Sequence, residues 1–391
     1  MRTIAVVGTS LAGLRSAQEL RLQGFDGRLV LIGEEPHQPY DRPPLSKDFL
    51  LGKLGVDELA LAAVDDLAAL DAEWHLGTRA ERLSGTTVNL SDGSAVAADG
   101  VVVATGGTAK TLAGTEKLAG VHTLRTLDDA VALRQALAAG PSGVVVIGAG
   151  FIGAEVASVC WALGCEVTVV EAAPVPLAGV LGEALGAVCA GLHGQHGVRL
   201  LTGVGVASLT GASDVTGVRL ADGTEIPAEL VVVGVGVRPN TAWLTGSGIA
   251  VDDGVLADSG CVTGNPRVVA AGDVVRYQCP RRGRVRAEHW TAATEQPAVA
   301  VRNLLAGSTV AHYERPGYFW SDQYGRCIQF AGVSTGEARI VEGDPGDRKF
   351  VATYVDGEKI VGVLAMDSPK LFTRLRRGLA PLTPARRPNP R

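Results

Sequence analysis

The 391-residue sequence predicts an α/β fold made of two parallel-sheet units, one inserted into the other, followed by a smaller α+β domain. Three observations predict it. A strand, glycine turn and helix pattern occurs twice, as TIAVVGTSLAGLRSAQELR from Thr3 and as GVVVIGAGFIGAEVASVCWALG from Gly143. Two apolar strands that end in small-residue turns, VVVATGG (residues 101–107) and NPRVVAAGDVV (265–275), flank the second copy. From about Tyr313 the glycine turns stop, and alternating strands such as KFVATYVDG and KIVGVLAMD take over.

Each copy opens on a β-branched strand, turns at glycines, and enters a helix with small residues at its start. Each then reaches a second strand that ends in acid, RLVLIGEE with Glu34 and Glu35, and EVTVVEAA with Glu171. Gly8 precedes Glu34 by 26 residues and Gly148 precedes Glu171 by 23, close to the offset of a dinucleotide-binding fingerprint. In that fingerprint the first glycine permits a tight turn, the second lets backbone approach a pyrophosphate, and the third lets helix pack on strand. The helix N-terminus offers free N–H groups to the phosphates, and the acid accepts from ribose hydroxyls. The second copy, Gly148-x-Gly150-x-x-Gly153, is complete; the first, Gly8-x-Ser10-x-x-Gly13, has a serine in the middle, small enough to be tolerated. LVVVGVGVRPN (230–240) closes the inserted unit. The expected organisation is therefore two Rossmann-like dinucleotide-binding domains, residues 1–109 with 241–312 and residues 110–240, and an α+β interface domain at 313–391.

Composition excludes several function classes. Apolar residues are 46% and charged residues 20% of the chain, ordinary for a water-soluble globular protein. A net charge of −5 argues against general nucleic-acid affinity. The charge is uneven, with seven basic residues from Lys370 onward against Asp367 alone in the last 26 residues. The first apolar strand starts at Thr3, leaving no room for a signal sequence, and the longest nearly uncharged stretch is broken by GAGFIGAE, so no membrane span is expected. Six scattered cysteines without a C-x-x-C pair fit buried thiols in a reducing cytoplasm. His193 and His196 form an H-x-x-H, but no third ligand type clusters beside them, and no metal site is expected.

The motifs PYDRPPLSK, ATG, GAGFIGAE, AAGDV, EHWTAATEQ and FWSDQYG together resemble the ferredoxin-reductase branch of the two-dinucleotide flavoproteins of glutathione-reductase type. The similarity runs from Thr3 to about Arg377, beyond which a Pro/Arg-rich tail follows. The resemblance implies FAD in the first unit and NADH in the second. It places Lys47 near the flavin N5 with Glu155 opposite, Asp273 after Gly272 on the ribityl chain, Thr105 and Gly106 near the pyrophosphate or ribose, and Trp290 and Trp320 beside the isoalloxazine. Leu11, Ala12, Arg42, Ala80, Ala104, Phe151, Ile152 and Gly236 complete the implied cofactor-binding set. In disulfide reductases of this fold, the segment that here reads Arg42 to Lys47 supplies a cysteine pair. This chain has none there, so electrons would leave the flavin directly. Pro43 and Pro44 stiffen the segment that presents Lys47.

The implied activity is NADH-dependent reduction of a small iron–sulfur ferredoxin that serves a haem monooxygenase or a dioxygenase, by a monomer or weak dimer. Two alternatives share the scaffold, an NADH oxidase or small-quinone reductase, and a non-catalytic FAD/NAD redox sensor. Glu171 favours NADH over NADPH, because a 2′-phosphate would meet a like charge and AAPVPLAG, which follows, offers no arginine. Two basic runs are candidate carrier-docking surfaces: Arg374, Arg376 and Arg377 in KLFTRLRRGL, and Arg281, Arg282, Arg284 and Arg286 in QCPRRGRVR.

Overall fold

The computed structural model describes residues 1–115, 118–279 and 282–379. Arg281 and the Pro/Arg-rich tail beyond Leu379 lie outside the described residues. Each glycine motif sits at the centre of its own five-stranded parallel sheet. In the first, Thr3–Val7 lies between Arg28–Ile32 and Gly100–Val103, with Ala72–His75 and Val268–Ala270 outermost. In the second, Gly143–Ile147 lies between Glu166–Glu171 and Leu230–Val233, with Arg199–Thr202 and Val121–His122 outermost. The central strands are apolar along their length because both faces are covered, as buried parallel sheets require. In the second sheet Val144 and Val146 pack on helices such as Phe151–Ala162, and Val145, Ile147, Val231 and Val233 pack on an antiparallel sheet that includes Val215–Leu220. The strand Val268–Ala270 returns to the first sheet after the second is complete, so one unit is inserted into the other.

A short antiparallel ribbon, Gly107–Ala109 with Val237–Pro239, joins the two units where the chain passes between them. It escapes sequence reading because three-residue strands carry no usable periodicity.

The terminal domain is a five-stranded antiparallel sheet, Tyr318–Gln323, Arg326–Gly332, Lys359–Met366, Lys349–Asp356 and Glu337–Asp344 in spatial order, with the helix Pro369–Arg377 on one face. Both faces of the inner strands are buried. Phe350, Ala352, Tyr354, Leu364 and Met366 join Val144, Val156, Leu185 and Leu192 of the inserted unit in one core. Val351, Val363 and Ala365, on the opposite face, pack on Phe372 of the terminal helix. The first unit keeps a separate core around Ile4, Val6, Leu31 and Val102. Terminal domain and inserted unit thus share one apolar core, which Leu50 of the first unit also joins. No helix among the described residues is long and apolar enough to cross a membrane.

Candidate active site

The two glycine turns face one cavity of about 940 Å³, the upper end of the range for small-molecule sites. Both turns are sterically closed at their first and third glycines. A Cβ on Gly8 (φ +112°) would stand 2.1 Å from the Ala104 carbonyl oxygen, and one on Gly13 would stand 1.7 Å from that of Gly8. In the second turn the matching approaches are 2.4 Å, from Gly148 to the oxygen of Gly234, and 2.0 Å, from Gly153 to that of Gly148. The helices that follow, Leu11–Leu22 and Phe151–Ala162, begin at Ser10 and Gly150 without a side-chain cap and without an acid in the first turn. The helix Leu127–Ala138, by contrast, is closed by a Thr126–Asp129 capping box. Helix N-termini left uncapped at a cavity are suited to anionic phosphates.

Around the first turn the polar residues are already tied together. Arg42 donates to Glu35 at 2.6 Å and to the Ser10 hydroxyl at 3.0 and 3.2 Å, and also bonds the Arg125 carbonyl. Tyr40 donates to Glu35 and accepts from the Leu127 amide at 2.9 Å. Arg125 reaches Asp273 at 2.7 Å and the Gly107 carbonyl at 3.0 Å. Glu34 and Glu35, in the bend that follows the strand Arg28–Ile32, have different partners. Glu34 is 65% exposed and 3.8 Å from Arg79, so Glu35 is the acid that joins the network of the first turn.

The cavity wall includes Ser10, Leu11, Ala12, Arg42, Lys47, Ala104, Gly106, Gly148, Gly150, Phe151, Ile152, Gly153, Glu155, Glu171, Gly236, Asp273, Trp290 and Trp320. Besides Glu34 and Glu35, five other expected residues do not line it. Gly8 and Gly13 make the backbone approaches just described. Gly272 (φ +79°) donates its N–H to Gln296 at 2.8 Å, and a Cβ there would press to 2.8 Å from that of Ala12. Thr105, expected beside the cofactor, spends its hydroxyl on the Asn240 carbonyl at 2.8 Å, where the two units join. Ala80 begins the strand Ala80–Ser84 and is buried in the core of the first unit.

At the centre, Lys47 Nζ lies 2.9 Å from Glu155 Oε2, with the side chains 16% and 2% exposed. Pro43 and Pro44 begin a short 3₁₀ turn whose C-cap is Lys47, and the Pro43 carbonyl accepts from Nζ at 3.2 Å. Ser46 and Ser321 donate to the two carboxylate oxygens. Burial pushes the Glu155 carboxyl up from the usual range, and Lys47, Ser321 and Ser46 pull against it. None of the six cysteines lines the cavity. The Cys327 thiol, close enough to feel Lys47, is pushed up to about 12 by burial and by Asp322, so it is protonated at neutral pH.

Trp290 and Trp320 meet edge to face at 6.0 Å, and the Trp290 indole N–H donates to Asp41 at 2.9 Å. Trp320 stacks on Tyr318, also at 6.0 Å, and the Arg376 guanidinium lies 3.9 Å over the Tyr318 ring. In the second turn, Glu171 accepts the amides of Ala149 and Ala173, each at 2.8 Å. Tyr40, Ser46, Arg125, His289 and Ser321 belong to the site although the sequence analysis singled out none of them as a site residue. Four of them stand inside the motifs PYDRPPLSK, EHW and FWSDQ, which could have directed attention to them, and Arg125 carried no signal.

His193 and His196 serve a seam. The His193 Nδ1 is 2.7 Å from the Tyr324 hydroxyl, and His196 stacks on the Tyr324 ring at 4.5 Å. No group of three or more His, Cys, Asp or Glu side chains among the described residues is placed to hold a metal ion.

The family model of pyridine nucleotide-disulphide oxidoreductases matches residues 2–297, and a reductase C-terminal family matches residues 318–388. The chain is 38% identical over 384 residues to the ferredoxin–NAD(+) reductase component of the anthranilate 1,2-dioxygenase system of Burkholderia cepacia, covering 96% of this chain and 93% of that one. It is 34% identical to rhodocoxin reductase of Rhodococcus erythropolis, over 98% and 91% of the two chains. A chain in the crystal structure of the covalent putidaredoxin reductase–putidaredoxin complex superposes with a TM-score of 0.90 at 32% identity, over 96% of this chain and 92% of that one. Two glycine turns on one cavity, matched by one family model, agree with relatives aligned almost end to end: the chain belongs to the pyridine nucleotide-disulphide oxidoreductase family, in its ferredoxin-reductase branch.

Proposed function

We propose that this enzyme takes electrons from NADH and delivers them singly to a small iron–sulfur ferredoxin that serves an oxygenase. The observation that carries the reading is the cavity wall: two uncapped helix N-termini, the Lys47–Glu155 pair between them, and no cysteine on the lining. FAD, when bound, supplies the chemistry that no side chain here offers, accepting a pair of electrons as hydride and releasing them one at a time.

The residues divide the remaining work. Free N–H groups of Leu11–Leu22, with Arg42 and Arg125, would hold the FAD phosphates, and Asp273 would take a ribityl hydroxyl. The Gly148–Gly153 turn would seat the NADH pyrophosphate. Glu171 has two acceptor positions left after its backbone bonds, enough for two ribose hydroxyls. Lys47 supplies a cation in a site from which most water is excluded, where a fixed charge acts strongly, and Glu155 keeps it aimed. Phe151, against Phe319 at 4.6 Å, adds an aromatic surface to the same wall.

The carrier would dock beside the helix Pro369–Arg377. Arg376 covers Tyr318, which stacks on Trp320 of the cavity wall, so this helix adjoins an aromatic line that leads away from the cavity. In the other basic run Arg286 is already paired, with Asp253 and Glu288, and Arg276 on the adjoining strand pairs with Asp252. In this reading the enzyme works in the cytoplasm as a monomer or weak dimer, with domains divided near residues 109, 240 and 312.

Rapid mixing of purified holoenzyme with NADH, then with a plant-type or a vertebrate-type ferredoxin, tests the reading. Fast bleaching of the flavin followed by one-electron reduction of a ferredoxin is expected. Absence of flavin bleaching, or oxygen consumption that no ferredoxin diverts, would overturn it.

A further inference from the structure

Glu155 is the point where all three parts of the chain meet. It stands on Phe151–Ala162 of the inserted unit and is 2% exposed. Ser46 and Lys47, from the first unit, both contact Oε2. From the terminal sheet, the Ser321 hydroxyl donates to Oε1 at 2.6 Å and the Asp322 amide reaches the same oxygen at 3.3 Å. Ser321 is wholly buried and accepts from Gln323 Nε2 at 3.0 Å, and Gln323 is itself 2% exposed. With Gln323 donating to it, the serine oxygen directs its own hydrogen to the carboxylate. The chain therefore turns four donors from two domains onto one buried acid of the third.

A buried carboxyl left alone takes a proton, and a neutral Glu155 would give Lys47 nothing to pair with. Hydrogen bonds to the charged form are what oppose that drift. The titratable groups around the Glu155–Lys47 pair include Asp322, whose amide reaches Glu155, and Cys327 and Asp41, both of which feel Lys47.

We propose that Ser321, set by Gln323, and Ser46 are positioning residues that keep Glu155 ionised and aimed at Lys47, so that the terminal domain takes part in reduction of the flavin as well as in delivery to the carrier. The proposal rests on the placement of Lys47 at the flavin given above. It assigns the segment FWSDQ a duty in the hydride-accepting half of the cycle, which a pure docking domain would not have.

Two readouts on holoenzyme test it, the pH dependence of flavin reduction by NADH and infrared difference spectra that report protonated carboxyl groups. Ser321→Ala and Ser46→Ala should each move the acid limb of the rate profile up by about one pH unit, the usual scale for one hydrogen bond to a charged group. A protonated-carboxyl band should appear over the same pH range and vanish when Glu155→Gln is added. Ser321→Thr, which keeps the hydroxyl, should behave as wild type. Slowing by the same factor at every pH without the band would assign these serines to packing and overturn the proposal, as would no change at all. If Ser321→Ala does not accumulate as holoprotein, Ser46→Ala makes the same decision on the opposite oxygen. Should NADH fail to bleach the wild-type flavin, the functional reading falls, while the carboxyl band still decides whether these hydroxyls hold the charge.

Discussion

At the middle of its glycine turn the first unit carries Ser10, whose hydroxyl accepts two hydrogen bonds from Arg42, whereas the second carries Gly150, with no protein atom within 4 Å of where a Cβ would stand. The contrast continues at the acids. Glu35 is bound by the side chains of Arg42 and Tyr40, and Glu171 by two backbone amides alone. It extends to the rim, where Ile152 and Val180 of the second unit are exposed at 46% and 39%. One unit is cross-linked before any nucleotide arrives, and the other leaves its polar positions and apolar rim open. Preorganisation lowers the ordering cost of binding and suits a ligand that stays; an open, glycine-rich turn suits one that exchanges each cycle. The same fingerprint has been built to two degrees of preorganisation.

The strongest way to break this comparison is to fill the turns. Gly13→Ala drives a methyl to 1.7 Å from backbone that cannot yield, so the expected product is apoprotein or aggregate, read from visible flavin absorbance. Gly150→Ala fills space that no protein atom uses. It should keep its flavin and its melting temperature while the KM for NADH rises about tenfold, the cost of one lost close approach. Flavin loss from Gly150→Ala with retention in Gly13→Ala would reverse the assignment of the two turns. Next in size is Lys47→Met, which keeps the stem and removes the charge. Flavin reduction should slow by between about a hundred- and a thousandfold, the range for losing one preorganised electrostatic group, with FAD still bound. Unchanged rapid-reduction kinetics would make Lys47 a bystander.

Much of this was legible in the sequence because backbone geometry left marks there. Gly8, Gly13, Gly148 and Gly153 must be glycine for contacts within the fold, so motif and structure coincide. Lys47, Glu155 and Asp273 were reachable only through the resemblance, since a lysine after two prolines has no spacing rule of its own. Arg125 was invisible: it meets Asp273 across 148 residues, and nothing local distinguishes it from a surface arginine. Ser46 and Ser321 were hidden for the same reason, since small hydroxyls acquire a role only when tertiary packing closes around an acid. The offset counted to Glu34 could not separate it from Glu35: both lie past the strand's end at Ile32, and only tertiary contacts tie Glu35 to Arg42 and Tyr40. The shared core of inserted unit and terminal domain was also beyond reach, because apolar alternation says that a face is buried without saying against what.

Cofactor choice sharpens the comparison on the open side. With Glu171 in place, kcat/KM should favour NADH over NADPH by at least about a hundredfold, on the order of 3 kcal/mol. Glu171→Ala should bring the ratio below about tenfold, chiefly through KM for NADH; a ratio that does not move would take Glu171 out of the ribose site. The shared core predicts a pH effect of its own. Burial lowers the His193 pKa from 6.5 to about 4 in the folded protein. Between those values the unfolded chain binds the extra proton and the folded one does not, so stability is complete above pH 6.5 and drains away as pH falls through 4. The loss amounts to about 3 kcal/mol. His193→Gln should flatten that part of the curve of melting temperature against pH, and an unaltered slope would mean that other groups set it.

The smallest expected effect lies outside both turns, at the electron exit. Many ferredoxins are acidic, and a reductase of net charge −5 needs a local basic patch to attract one. Arg374 and Arg377 are exposed, sit three apart on Pro369–Arg377 and so share one side of it, next to the Arg376–Tyr318–Trp320 stack. Charges at such a surface act over about 8 Å at physiological salt, so they steer encounter more than they hold the complex. NADH-driven ferredoxin reduction should therefore fall by about five- to tenfold as salt is raised from low to moderate strength, whereas ferricyanide reduction without ferredoxin should fall far less. Changing Arg374 and Arg377 together to Glu should reproduce the high-salt rate at low salt and spare ferricyanide turnover, because neither side chain lines the cavity where the flavin is reduced. If ferredoxin kcat/KM is untouched by that double change, docking lies elsewhere, and Arg282 and Arg284, on the hairpin after Asp273, become the surface to alter.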